Sequence, residues 1–365
     1  MQRIVFLNSH PIQYFAPLYQ QMAKDAAIDL QVVYCSDETL KGATDKQFGV
    51  QVKWDIPLLG GYKHLFLKNA SWKPSIYNGF WGLLNWGVVG FLRKQPKSIV
   101  VVHGWAYATH VITIIAAKLL GHTVCLRAET PLNQELQKNK WITKLKHLYL
   151  RGLFLFVDYG LYIGKQNKLF YHHLGFKEEQ LVFTPYCVDN ERFSSIALTV
   201  SKSSAREKLQ LPADKKIILF SGKYIDKKNP MDLLQAIRYL QQPNIFAVFV
   251  GDGELRTTME NFIADHGIEQ QVLLTGFINQ SLIPYYYAAA DVFVMCSGIG
   301  ETWGLSVNEA MNFGLPVVIS NTCGSAYDLV KDNGFVFSTR DIAALAESIR
   351  KVLDASENEY LNMQQ

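Results

Sequence analysis

Short apolar runs alternate with stretches of helical periodicity along most of the chain. In the C-terminal half the runs are IILFS (217–221), IFAVFV (245–250), VLLT (272–275), VFVMC (292–296), PVVIS (316–320) and GFVF (334–337). They lack the polar alternation of a half-solvated sheet, which marks strands buried on both faces. Between them, KNPMDLLQAIRYL (228–240) predicts a helix, with Asn229 as N-cap and Pro230 at its first position. Leu233, Leu234, Ile237 and Leu240 form its apolar face. The N-terminal half repeats the pattern with RIVFLN (3–8), LQVVYC (30–35), SIVVV (98–102), TVCLR (123–127) and LVFT (181–184). The stretch from 36 to 97, rich in Gly, Trp and Lys, does not resolve into elements. Strand and helix alternating in this way predict an α/β protein of two Rossmann-like, doubly wound domains. The polar segment PYCVDNERFSS (185–195) reads as the crossing, giving domains 1–190 and 191–365. In such sheets ligands sit beyond the carboxyl ends of the strands.

A length of 365 residues suits two domains, and 49% hydrophobic against 19% charged residues fills two cores and excludes a largely disordered chain. With Lys plus Arg at 36 and Asp plus Glu at 32, the net charge is +4. That balance argues against a nucleic-acid binder and leaves room for a local basic face toward an anionic ligand or membrane. The cysteines at 35, 125, 187, 296 and 323 form no C-x-x-C pair, so neither a disulfide framework nor a zinc site is expected, and a reducing cytoplasm is. The N-terminus MQRIVFLNSHPIQYF has no signal-peptide pattern. The most apolar segment, 79–92, falls short of the ~20 residues a membrane span needs.

Candidate chemistry lies at strand ends. SGKYIDKKNP (221–230) follows a strand and opens a helix; Gly222 is read as allowing a tight turn. Lys223 and Lys228 near a helix N-terminus suit a diphosphate, or are simply solvated loop lysines. GDGEL (251–255) places Gly251 where a backbone or ligand approaches closely. GETWGLSVNEAMNFGLPVV (300–318) carries Glu301 and Glu309, with Gly304 and Leu305 just before a helix expected to start near Ser306. Two carboxylates suit vicinal sugar hydroxyls; Ser306 and Glu309 alternatively form a capping box. His103, after SIVVV, lies at the ligand edge or is bonded within its own loop. Arg127 and Glu129, in RAETP, face that edge or form a structural ion pair.

The run from SGK through GDGEL, LLTGF, the paired glutamates and GLPVVISN resembles the retaining glycosyltransferases of family 4 (group 1), of two-domain GT-B architecture with a central cleft. The likeness is continuous over 217–337 and fainter over 1–190. It implies a C-terminal domain that binds a nucleotide-diphosphate sugar and an N-terminal domain for a glycan or lipid-linked acceptor. By resemblance Lys223 and Lys228 grip the diphosphate, with Lys223 where Arg is more usual. Glu301 touches the donor sugar, Glu309 the ribose, and Phe277 and Ile278 the base. Trp303 replaces a common Phe, and Asp328 a Glu. His103 matches an active-site His, and His10 and Pro11 stand where a Gly-rich loop is more usual, which leaves the phosphate role of this loop open. Arg127 and Glu129 read as contacting acceptor or donor, and with His10 they are assigned to the acceptor side. A last helix returning to the first domain is implied beyond DASENEYLNMQQ.

The chain has no D-x-D, so metal-independent transfer with no cofactor is expected. Competing classes are a sugar-nucleotide epimerase and a non-catalytic sugar-nucleotide or glycan binder. No G-x-G-x-x-G follows the first strand, which argues against a nicotinamide dehydrogenase. In KNKWITKLKHLYLR (138–151), Lys140, Lys144, His147 and Arg151 recur at helical spacing, and Trp141, Ile142, Leu145 and Leu148 on another face. This reads as a helix lying on an anionic membrane or as one packed on its own sheet. With the aromatic segment 76–92, it points to a protein peripheral at the inner face of a membrane.

Overall fold

The computed structural model describes all residues except 43, 46–49, 52–53 and 365. It divides into two units, one of residues 1–43 and 52–186, the other of 44–51 and 187–365.

In the first unit, β1 (Gln2–Asn8), β2 (Ile28–Tyr34), β5 (His64–Phe66), β6 (Ile99–His103), β7 (Thr123–Arg127), β8 (Tyr159–Tyr162) and β9 (Leu181–Phe183) form a parallel sheet in the order β5-β2-β1-β6-β7-β8-β9. Two short strands of the 44–51 segment, which groups with the second unit, β3 (Thr44–Asp45) and β4 (Val50–Gln51), pair separately and antiparallel. Val5, Leu7, Val100, Val102, Val124 and Leu126 meet helical side chains such as Ile114, Leu150 and Phe170 in one core. The five predicted strands are present within one or two residues. Two others carried no clear signal. β5 is a three-residue edge strand within the unparsed stretch, and β8 reads YGLY. Gly160 in β8 is a packing glycine: a Cβ there would lie 3.0 Å from Leu181 and Tyr171 side chains. In the aromatic stretch Trp72, Trp81 and Trp86 are exposed, and the Trp72 and Trp81 rings lie 5.7 Å apart.

In the second unit all six predicted strands form: β10 (Lys216–Ser221), β11 (Ile245–Val250), β12 (Val272–Leu274), β13 (Val292–Met295), β14 (Val317–Ser320) and β15 (Gly334–Phe337). They run parallel in the order β12-β11-β10-β13-β14-β15. The helix Pro230–Leu240 begins at the expected proline and buries Leu233, Leu234, Ile237 and Leu240. Asn229 does not cap it by its side chain. It sits at φ +47°, and its buried amide donates to the Cys296 carbonyl at 2.9 Å. The polar segment near 190 contains the helix Asn190–Thr199, where the Asp189 side chain accepts from the Arg192 amide. The buried Asp291 at the foot of β13 accepts from Arg206 and Lys202, both at 2.7 Å, and from the Ile217 amide. Tyr360, on the helix Glu357–Met363, donates to the Asp291 carbonyl at 2.6 Å and ties the last helix to this sheet. No helix among the described residues is long and apolar enough to cross a membrane.

Candidate functional site

In the second unit the strand order reverses between β10 and β13, so the loops leaving their carboxyl ends diverge. Lys228 and Glu301 come from these two loops and form a direct, largely buried ion pair, the Lys228 ammonium donating to Oε2 of Glu301. Ser297 Oγ donates to the same oxygen at 3.3 Å. Burial pushes the Glu301 carboxyl up, but the ammonium groups of Lys228 and Lys227 outweigh it and hold the group below its usual range. The loops are laced further. The Gly298 amide donates to the Lys227 carbonyl at 2.7 Å, and Lys227 Nζ to the Gly300 carbonyl at 3.2 Å. Lys227 was not singled out in the sequence, and its only signal there is adjacency to Lys228. Lys223 is half-buried in the loop after β10.

The loops after β10, β11 and β12 interlock in strand order. The Gly222 amide donates to Val250 at 2.9 Å and the Gly251 amide to Gly276 at 3.1 Å. Gly222, Gly251 and the half-buried Phe277 and Ile278 thus share one edge of the sheet. The close approach is at Gly251 and not at Gly222. Gly251 has φ +147°, and a Cβ on it would fall 1.9 Å from the Gly222 carbonyl oxygen. Gly222 has no positive φ, and a Cβ there would meet ordinary contacts at 3.6–3.7 Å, so its tight-turn role is not observed.

The helix Leu305–Met311 starts one residue before Ser306, behind Gly304 at φ +94°. Met295 Sδ would lie 2.6 Å from any Cβ on Gly304. The N-cap residue is Gly304, which has no side chain to offer, and Ser306 is already the second helical residue, so Ser306 does not cap this helix in a box with Glu309. Glu309 lies in the second turn, is buried, and accepts from the hydroxyl of Tyr287 at 2.7 Å. Trp303 is buried and donates to Asn308 Oδ1 at 2.8 Å. Asp328 is half-buried in the short helix Ala326–Leu329.

In the first unit the order reverses between β1 and β6. His10 follows β1, His103 ends β6, and Arg127, in register with His103, ends β7. The His103 ring packs on Phe15 with centroids 4.4 Å apart, and its Nε2 lies 3.5 Å from the Tyr19 hydroxyl. These contacts are with the helix Phe15–Lys24, not within its own loop. Burial, then the nearby Arg127 and His110, hold the His103 ring well below the usual imidazole range, hence neutral. Arg127 is buried, its guanidinium 4.6 Å from the Tyr186 ring centre and 5.4 Å from that of Phe15. Glu129 is half-buried two residues on. His10 Nδ1 lies 2.9 Å from Ser9 Oγ, and burial pushes this ring down to about 4.

His110, not singled out in the sequence, is buried and pushed down to about 4, chiefly by burial and then by His10; neither ring nitrogen finds a partner among the described residues. Its folded pKa is below the unfolded one, so the unfolded chain takes up the proton first as pH falls. Stability is full above the ordinary value of 6.5 and declines toward about 4. Over that window His110 is expected to cost about 3 kcal/mol. Denaturant midpoints at neutral and mildly acid pH check this: His110→Leu flattens the decline, and an unchanged slope refutes it.

The C-terminal part, residues 201–365, matches the family model for glycosyl transferases group 1. The chain is 33% identical over 273 residues to the UDP-Gal:alpha-D-GlcNAc-diphosphoundecaprenol alpha-1,3-galactosyltransferase of Escherichia coli, covering 72% of this chain and 68% of that one. The chain belongs to the group 1 glycosyltransferases. It is also 28% identical over 266 residues to a Campylobacter jejuni glycosyltransferase, the GalNAc-alpha-(1->4)-GalNAc-alpha-(1->3)-diNAcBac-PP-undecaprenol alpha-1,4-N-acetyl-D-galactosaminyltransferase, covering 72% of this chain and 67% of that one. Other curated relatives of this glycosyltransferase align over less than half of their own length. Among solved structures, Anabaena HepE in complex with UDP and glucose superposes with a TM-score of 0.73 at 16% identity, covering 100% of this chain and 93% of that one. The two parallel-sheet α/β units are thus those of the GT-B class.

Proposed function

We propose that this glycosyltransferase moves a hexosyl or N-acetylhexosaminyl group from a uridine-diphosphate sugar to a lipid-linked or growing glycan acceptor, with retention of anomeric configuration and without a metal. The buried Lys228–Glu301 pair at the strand-order reversal of the second unit carries this reading. An ammonium and a carboxylate held side by side suit a ligand that is anionic at one end and hydroxyl-rich at the other. The uridine choice draws on the UDP in the HepE complex and in the name of the E. coli relative. The acceptor class draws on the undecaprenol-linked substrates that the two relatives' names print.

In this reading Lys228 and Lys223 neutralise the leaving diphosphate, assisted by backbone amides at Gly304 and Leu305. Gly251, lacking a Cβ, lets its loop pack on the Gly222 carbonyl and so shapes the edge the donor meets. Phe277 and Ile278 flank the base, and Glu309 takes the ribose by exchanging its bond to Tyr287. Glu301 orients the donor sugar. In the first unit, the neutral His103 is proposed as the active-site imidazole, a hydrogen-bonding group that adds no positive charge. His10, Arg127 and Glu129 meet the acceptor. Substitution occurs on the front face: the bond from the anomeric carbon to the diphosphate oxygen breaks, and that oxygen accepts the acceptor hydroxyl's proton as the new glycosidic bond forms.

A thermal-shift screen tests the donor. UDP at about 100 times its Kd is expected to raise Tm by about 5 °C or more. A shift given by GDP or ADP and not by UDP refutes the base. NMR of the product tests the stereochemistry, since an inverted anomer rules out retention. A new sugar nucleotide formed from UDP-sugar alone would instead identify an epimerase.

A further inference from the structure

The helix Lys140–Phe154 presents an apolar stripe outward. Trp141, Ile142, Leu145 and Leu148 are 75%, 68%, 69% and 70% exposed, whereas Thr143, His147, Leu150, Leu153 and Phe154 are buried. The face that the sequence left open between packing and surface is therefore the outer one, and His147, grouped there with the basic residues, turns inward to His173 at 3.1 Å. The helix is held firmly in that orientation. Asn139 Oδ1 accepts from the amides of Trp141 and Ile142, and Leu150, Leu153 and Phe154 belong to the core. Behind the helix the fully buried Glu135 accepts from Lys146 at 2.6 Å and Lys138 at 2.7 Å. Rolling the stripe inward would break this cluster.

The stripe is bordered by positive charge. No acid occurs between Glu135 and Asp158. Among the described residues, Lys140 and Lys144 have no acidic partner, and Lys144 rests 5.8 Å from the Trp141 ring centre. Lys138, Lys144 and Arg151 rim a groove of about 610 Å³ whose apolar lining includes Trp141, Leu145 and Leu148.

We propose that this helix docks the protein on an anionic lipid surface, with the indole and leucines entering the acyl boundary and Lys140 and Lys144 meeting headgroup phosphates. Charge selects this occupant over a second copy of the chain. A two-fold contact through the stripe would bring the lysine borders of both copies together, which is unfavourable, whereas phosphate headgroups complement them. The proposal goes beyond the transfer reaction and stands whether or not the donor and acceptor are those proposed above.

The test is flotation of the full chain with phosphatidylglycerol-rich vesicles and with pure phosphatidylcholine vesicles. Wild type is expected to float with the anionic vesicles only, and less at high salt. Lys140→Glu/Lys144→Glu is expected to lose about 100-fold in partitioning. Lys331→Glu/Lys351→Glu, an equal charge change at exposed positions of the second unit, leaves it unchanged. All four positions are exposed, and far-UV circular dichroism confirms folding. Trp141→Ser is expected to weaken flotation as well. Flotation equal on both lipids, unaffected by Lys140→Glu/Lys144→Glu, or absent in wild type overturns the proposal. So does a concentration-dependent dimer that Trp141→Ser dissociates.

Discussion

Lys228→Ala is expected to lower kcat/KM for the sugar-nucleotide donor by about 10²–10³-fold, the scale of removing one positioned group that stabilises transition-state charge. It is also expected to destabilise the fold, because Glu301 stays buried beside Ser297 without its ammonium partner. Stripping one member from a buried pair costs about 3 kcal/mol. The two effects separate in a double variant. Lys228→Ala/Glu301→Gln removes the stranded charge and is expected to recover stability, while transfer stays low. If activity returns together with stability, Lys228 serves the fold alone. The pH dependence carries a sign as well. The Glu301 carboxyl is held low in the fold, so its contribution is present above the ordinary carboxylate range and lost as pH falls through its folded value. In Lys228→Ala that loss moves to higher pH, which melting curves between neutral and acid buffers would register.

Gly251→Ala is expected to be strongly damaging for a single added methyl. Its Cβ would fall 1.9 Å from the Gly222 carbonyl oxygen, a backbone atom that cannot rotate away, and φ +147° is itself unfavourable for alanine. A cost of about 2–4 kcal/mol follows from the strain and the clash together. Relieving it displaces the loop that carries Lys223 and Lys228, so donor KM should rise along with the loss of stability. Gly222→Ala is the control: its Cβ would touch Phe220 and Lys228 side-chain atoms at ordinary distances. It should cost less than about 1 kcal/mol. Denaturant midpoints of the two variants decide the matter, and equal midpoints would show that the approach at Gly251 is not limiting.

The fold was legible where burial on both faces left unbroken apolar runs such as IFAVFV, and where Pro230 marked a helix start. It was illegible at β8, whose YGLY depends on Gly160 fitting under Leu181 and Tyr171, a contact no local pattern encodes. The candidate site divides in the same way. Residues at strand ends, such as His103 and Arg127, could be placed because the parallel sheet itself delivers them to one edge. Partners could not. Lys228 meets Glu301 across 73 residues, and Glu309 takes a hydroxyl from Tyr287 rather than from its own helix start. The serine three positions before Glu309 invited a capping box, but the chain enters that helix through Gly304 in a left-handed turn, and Ser306 falls inside the first turn. Glu135 was invisible as an anchor because the lysines it holds lie on both sides of a helix start that the sequence does not show as folded back on itself.

The lacing between the two diverging loops has a kinetic meaning. Asn229 reaches the Cys296 carbonyl, the Gly298 amide reaches Lys227, and the Lys228 ammonium is already docked on Glu301. The two loops are therefore tied to each other by the fold itself, and, if they hold the donor's diphosphate as proposed, little of their backbone remains to be ordered on binding. In the proposed reading, capture of the donor's diphosphate should follow diffusion and charge attraction rather than wait on a slow rearrangement of these two loops.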